Sequence, residues 1–172
     1  GNGEIVSDIT HDDFIKSITI NNLAKVSDGK AIGSNNMDRA LLTYAIANGY
    51  DESKDYSSEI KEISGFDSEK KCATVEMTDG TVYWKGATEN ILDKVTHYIN
   101  SDGEKVEFTD KGKVEFQMHV QAKRTMKLLS VAKIDKDEVI LYAILCLRDN
   151  VRPDAIETVK TLNKAGIQVV MV

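Results

Sequence analysis

The sequence predicts a soluble chain that mixes helices with strands, and three observations carry that expectation. The hydrophobic period is helical over Asp12–Val26 and Asn36–Asn48 and alternating between Lys71 and Lys85. Hydrophobic residues fill 41% of the 172 positions, enough for a core, while 29% charged residues can cover it. The chain closes with a helix opened by Pro153 and the largely apolar Ile167–Val172, the pattern of a buried strand in a parallel sheet.

Elements follow in order. Phe14, Ile15, Ile18, Ile20, Leu23 and Ala24 fit the apolar face of a helix over Asp12–Val26, with Asp12 and Asp13 in its favoured first turn. A second helix is expected over Asn36–Asn48, capped by Asn36 and stopped by Gly49. Glu59–Gly65 reads as a short, weak strand. Lys71–Thr78 alternates, with Ala73, Val75 and Met77 on one face and Cys72, Thr74 and Glu76 on the other. Asp79-Gly80 predicts a two-residue turn into the partner strand Thr81–Lys85. A helix over Thr88–Ile99, a turn at Ser101–Gly103 and a polar helix over Asp110–Lys127 come next. Leu128–Ile134 and Val139–Leu147 read as two strands around Asp135–Glu138.

The excess of 28 Asp+Glu over 22 Lys+Arg, a formal charge of −6, argues against a nucleic-acid or anionic-membrane binder. No apolar run approaches the ~18–20 residues of a membrane helix. Gly1–Asp8 has neither the basic start nor the apolar stretch of a signal peptide. Cys72 and Cys146 form no CxxC and have no nearby His pair, so two thiols in a reducing compartment are expected. The length suits one domain, or one domain plus a fragment. The abrupt end inside an apolar strand points to a piece of a larger protein.

GxxxxGK, GxGxxG, HExxH and GxSxG are all absent, and His11, His97 and His119 have no ligand spacing. What remains is Lys85-Gly86-Ala87-Thr88-Glu89 at an expected strand-to-helix junction. A strand that delivers a lysine, a glycine that permits close approach and a helix start together attract an anion. An ordinary βα turn with a solvated lysine fits the same residues.

Five segments read together resolve that choice. Lys85–Glu89 resembles the KGAPE motif of P-type cation-transporting ATPases. Asn36-Met37-Asp38-Arg39-Ala40-Leu41-Leu42 is similar to their P-T-[DE]-x-A-L-L segment, and Phe66-Asp67-Ser68-Glu69-Lys70-Lys71 to their F-S-x-x-[RK]-K. Leu147–Pro153 resembles the DPPR hinge, and Ala165–Met171 the AGIxVxM strand before the TGD motif. Order and spacing agree from about Asp12 onward. The resemblance implies an α+β nucleotide-binding domain, an antiparallel twisted β-sheet flanked by helices, over residues 1–148. It also implies a hinge and a partial phosphorylation-domain αβ segment over 149–172.

Residue roles implied by the resemblance are these. Phe66 stacks on adenine, although an aromatic before a strand is by itself more often core. Asp38 sits at the adenine end and accepts from the exocyclic amine, a role compatible with helix-dipole stabilisation. Lys71 and Lys85 line the pocket and meet ligand charge, with Gly86 and Ala87 beside them. Strand alternation lets only one of Lys70 and Lys71 face the nucleotide. Lys127 stands where the family has a phosphate-reaching arginine, keeping charge but losing the planar fork, with Arg124 one helical turn away. Thr88 replaces the proline of KGAPE, and Asn150-Val151 replaces the hinge prolines. Asp149 and Arg152 match the hinge charges, or equally serve a helix start.

The family's phosphorylated aspartate in DKTGT and its magnesium-binding segments do not occur here, so no catalytic residue or metal ligand is assigned. Implied is an ATP-binding piece of a membrane-bound ion translocase, facing the cytoplasm, that binds nucleotide without turning it over. Its ligands would be ATP, with Mg²⁺ in the parent protein, and ADP; its partners would be the parent's phosphorylation and actuator domains. No direct contact with membrane or nucleic acid is expected. The motifs favour the branch holding calcium pumps and their bacterial relatives. Two other readings are a nucleotide-independent regulatory or interaction domain of the same fold and a dehalogenase-like phosphatase. The latter fails on its missing DxDx(T/V) strand.

Overall fold

The computed structural model describes residues 12–122, 128–146, 163–164 and 166–171. Its centre is an eight-stranded sheet: β3 (Ile60–Asp67), β4 (Cys72–Met77), β5 (Val82–Ala87), β6 (His97–Ile99), β7 (Lys105–Glu107), β8 (Leu128–Asp135), β9 (Glu138–Cys146) and β10 (Val169–Met171). The spatial order is β3-β4-β5-β8-β9-β6-β7, and β10 also pairs with β9. A small separate hairpin joins β1 (Lys25–Ser27) to β2 (Lys30–Ile32). The helices α1 (Asp12–Ile20), α2 (Asn36–Ala47) and α3 (Asp110–Ala122) flank the main sheet.

Both faces of the central strands are covered, so inward-facing residues occur on each side of them, while edge strand β3 stays largely exposed. Phe14, Ile18, Leu41 and Ala45 from α1 and α2 pack against Val75, Tyr83, Val131 and Leu145. On the opposite face Trp84, Ala132, Leu141 and Ile144 meet Ile91, Leu92, Val95, Phe108 and Phe116. The alternation expected in β4 holds: Val75 and Met77 join the first cluster and Cys72 the second. Both cysteines are buried, free thiols, and burial pushes the Cys146 thiol above its ordinary value.

One irregularity has a chemical consequence. Val131 pairs with Ala143, but Ala132 pairs with Leu141, so Tyr142 is the extra residue of a β-bulge. The bulge turns Tyr142 and Ala143 to the same face. The Tyr142 hydroxyl thereby reaches Asp13 Oδ2, where Lys133 Nζ also lies at 3.2 Å, while Tyr83 donates to Asp13 Oδ1 at 2.7 Å. One acid in the first turn of α1 thus binds three adjacent strands.

Several expectations are corrected. The first helix stops at Ile20, not Val26, because Asn21 and Asn22 turn their amides to other partners and Lys25–Ser27 enters a hairpin. The cap of α2 is Asn35, whose side chain accepts from the Asp38 amide at 3.0 Å, and not Asn36. The turn after β4 has three residues, with Met77 N–H donating to Thr81 O and only Gly80 at positive φ. The helix expected over Thr88–Ile99 is instead two 3₁₀ turns, Thr88–Asn90 and Leu92–Lys94, followed by β6. There Thr96 N–H donates to Val139 O and Phe108 N–H to Thr96 O, hydrogen bonds that bind the segment to its neighbours in the sheet. β7 had no counterpart in the periodicity.

Most pairings are antiparallel, yet β6 and β10 both run parallel to β9, along Ile140–Leu141 and Ile144–Cys146 respectively. The apolar strand read at the end of the chain is therefore in the main sheet as β10. The Pro153 helix start, the hinge residues Asp149 and Arg152, and both Arg124 and Lys127 lie outside the described residues.

Candidate functional site

A groove of about 470 Å³ opens where the end of α1, the start of α2 and the edge of the sheet at β3 converge. Its size falls within the range usual for small-molecule sites. Each wall has a local cause. Asn21 ends α1 and donates from its side chain to Ala73 O at 2.9 Å, pinning the chain to β4. Asn22 donates to Ile18 O at 3.1 Å and Asp38 O at 2.8 Å, tying α1 to α2, while its Oδ1 accepts from Ala24 N–H at 2.7 Å. Asn35 caps α2 and so sets Asp38 in the first turn, facing inward at 5% exposure.

The floor of the groove is an ion pair. Lys85, in the middle of β5, is 8% exposed and donates at 2.6 Å to both Asp38 Oδ1 and Asn21 O. The other carboxylate oxygen, Oδ2, accepts from Leu23 N–H at 3.1 Å. A buried charge is tolerable only when paired and hydrogen-bonded, and both members of this pair are. The rim is apolar: Phe66 is 65% exposed, Leu23 65% and Ile63 59%, and all three line the groove.

Phe66 stands at the end of β3, the sheet's edge strand, just before a turn shaped by its neighbour. Asp67 Oδ1 accepts from the Glu69 and Lys70 amides, which holds the Asp67 carboxyl below the ordinary aspartate value. Lys70 and Lys71 therefore sit in a turn, where strand alternation does not sort them; Lys71 has a positive φ of 51°.

Asp38, Phe66 and Lys85 are thus brought to one groove. Lys71, Gly86 and Ala87 do not line it. Lys71 is exposed, 3.9 Å from Glu89. Gly86 lies against β4: a Cβ there would stand 2.5 Å from Lys71 O and 2.6 Å from Cys72 Cβ. Thr88 caps no helix, and its hydroxyl pairs at 2.8 Å with the buried Ser130 hydroxyl. Asn21, Asn22 and Asn35 were not anticipated in the site. Their signal was masked, because Leu23 and Ala24 continue the helical period past Asn21 and Asn22.

Among the described residues no group of three or more His, Cys, Asp or Glu side chains is placed to hold a metal ion. No helix among them is long and apolar enough to cross a membrane. His97 lies 4.0 Å from Glu138 and bonds the Thr96 hydroxyl, remote from the groove lining.

An α+β domain with this order of motifs is the cytoplasmic domain N of P-type ATPases. The family model of that description matches residues 10–158, and the chain belongs to the family. Among individual proteins it is similar to calcium-transporting ATPase 9, plasma membrane-type, of Arabidopsis thaliana, 30% identical over 182 residues, covering 90% of this chain and 17% of the relative. Calcium-transporting ATPase 12, plasma membrane-type, of the same plant is 28% identical, covering 78% of this chain and 15% of the relative. Calcium-transporting ATPase 1 of Schizosaccharomyces pombe is 27% identical, covering 79% and 16%. The chain thus spans less than a fifth of the length of each.

Proposed function

We propose that the groove binds an adenine nucleotide. In a parent calcium-transporting ATPase, the domain would present the γ-phosphate to an aspartate in a neighbouring domain. The observation that carries this reading is the exposed Phe66 ring on the rim of a groove whose floor is the Asp38–Lys85 pair. Burying a phenylalanine is worth roughly 1.5–3 kcal/mol, so a ring left in water beside a cavity is a surface for a flat partner. The Asp38 carboxylate below it offers acceptors only, the chemistry that an exocyclic amine satisfies.

The chain's contribution to reaction is positioning: a held base and sugar convert an encounter into a fixed geometry, worth several powers of ten in effective concentration. Base and sugar supply most of the recognition, so ATP and ADP bind with similar affinity. Lys127 and Arg124 remain the proposed phosphate contacts, and Asp149 and Arg152 the hinge between a nucleotide domain ending near residue 148 and the segment 149–172. Magnesium arrives with the nucleotide. Calcium as the transported ion rests on the names of the relatives.

The test is an amide NMR titration of the chain with ATP, ADP, AMP and GTP, paired with calorimetry on Phe66→Ala. Adenine nucleotides are expected to shift residues around Asp38, Phe66 and Lys85 more than GTP does. Phe66→Ala should weaken ATP roughly tenfold or more, the value of ~1.4 kcal/mol, while the melting temperature stays put because the ring is exposed. An absence of saturable shifts in the folded chain would sink the nucleotide reading in favour of an interaction domain of the same fold.

A further inference from the structure

We propose that Lys85 acts on the nucleotide only through Asp38: with Asn21 and Asn22 it is a positioning residue that fixes the groove's acceptor, and it meets no ligand charge. The inference rests on the adenine-nucleotide reading above and departs from the expectation that Lys85 meets ligand charge. An ammonium has three donors. Two of those of Lys85 are spent at 2.6 Å, on Asp38 Oδ1 and on Asn21 O. Its side chain is 10% exposed, and it lies mid-strand between Ala73 of β4 and Val131 of β8. Swinging toward a phosphate would strand a carboxylate that is itself 7% exposed, and an unpaired buried charge is costly.

The partners of Lys85 are anchored in turn. Asn21 offers its carbonyl to Lys85 while its side chain donates to Ala73 O at 2.9 Å, so the acceptor peptide is fastened to the same sheet that carries the lysine. Asn22 holds the Asp38 carbonyl, and Leu23 N–H holds Asp38 Oδ2. Lys85 and Leu23 N–H thus bond the carboxylate directly, while Asn21 holds the lysine and Asn22 the Asp38 backbone. Each carboxylate oxygen has about two lone-pair sites, so capacity remains toward the groove, and it is acceptor capacity only. A ligand amine is welcomed there and a ligand carbonyl meets oxygen against oxygen. Lys85 therefore governs which base is accepted and not how tightly phosphate is held.

The experiment measures affinities of adenosine, ATP and GTP for the wild-type chain, Lys85→Met, Asp38→Asn and the double variant. Lys85→Met is expected to weaken adenosine and ATP by one common factor, on the order of tenfold, and to lower the ATP-to-GTP affinity ratio. In the Asp38→Asn background the same change should alter adenosine and ATP affinity by no more than about twofold, because the residue it acts through has changed. A loss much larger for ATP than for adenosine overturns the proposal, since it places the ammonium on phosphate. If Lys85→Met alone does not fold, the double variant, which leaves no unpaired charge, is compared with Asp38→Asn and decides the point by the same ratio. Asn22→Ala, which leaves both charged groups in place, should lower the ATP-to-GTP ratio too; an unchanged ratio removes it from the set. A wild-type chain that binds neither adenosine nor ATP overturns the nucleotide reading and this proposal with it. Unequal losses overturn this proposal alone.

Discussion

At position 86 a hydrogen atom takes the place that any other side chain would need. Gly86 pairs with Cys72, and an added Cβ would come within 2.8 Å of the Cys72 Cα as well as 2.5 Å of Lys71 O. Backbone atoms cannot swing aside, so Gly86→Ala should cost about 1–3 kcal/mol. That cost would read as a lower denaturant midpoint with an unchanged slope. Gly65, which lines the groove and has nothing within 4 Å of such a Cβ, is the control: Gly65→Ala should stay within about 0.5 kcal/mol of wild type. Residue identity made Gly86 legible as special, while the reason lay in a strand pairing that no spacing discloses. Asp38, Phe66 and Lys85 were legible because motifs carry them. Asn21 and Asn22 were not, since their bonds reach residues 52 and 16 positions away.

Elements with a clean period and a local stop were the ones the sequence could specify. α2 ends at Ala47, with Gly49 at a φ of 108° just beyond its cap, and β4 and β5 are joined by the Gly80 turn as alternation requires. The cap of α2 slipped by one residue because Asn35 and Asn36 are chemically equivalent candidates, and only geometry shows which side chain reaches the Asp38 amide. Asn35→Ala should therefore destabilise the domain by about 1 kcal/mol in thermal unfolding and Asn36→Ala by much less. Residues 88–99 failed for a different reason. Ile91, Leu92, Val95, Tyr98 and Ile99 have helical spacing, but Leu92 and Val95 pack on one face of the sheet and Ile99 on the other. A segment that lies on one face as two 3₁₀ turns and then enters the sheet as a strand mimics a helix in its spacing alone.

Asp13 ties the whole molecule together. It receives Tyr83 of β5, Lys133 of β8 and Tyr142 of β9. Burial pushes its carboxyl up, but the hydrogen bonds of Tyr142 and Tyr83 and the ammonium of Lys133 outweigh burial and hold it below the ordinary aspartate value. Burial and the same carboxylate drive both phenols well above theirs, so they remain donors. A depressed folded value means that the unfolded chain takes up the proton first. The stabilisation is complete above the unfolded value of about 3.9 and is lost as pH falls through the lower folded one. Asp13→Asn should lower stability at neutral pH and flatten the fall in stability below about pH 4. Urea titrations at several pH values would show this, and an unchanged acid limb would refute the role given to Asp13. None of this was legible beforehand, because Asp13 reads as a first-turn acid, its partners lie 70 to 129 positions away, and Tyr142 reaches it only through a bulge.

The separation between Asp13 and Tyr142 is also an interval of time. The two residues stand 129 positions apart in the chain. At a synthesis rate of roughly 5–20 residues per second, about 6–26 s pass between the making of the acid and the making of its last partner. During that interval α1 has its apolar face but not all of the strands that face packs against, since Val131 of β8 and Leu145 of β9 are among its neighbours.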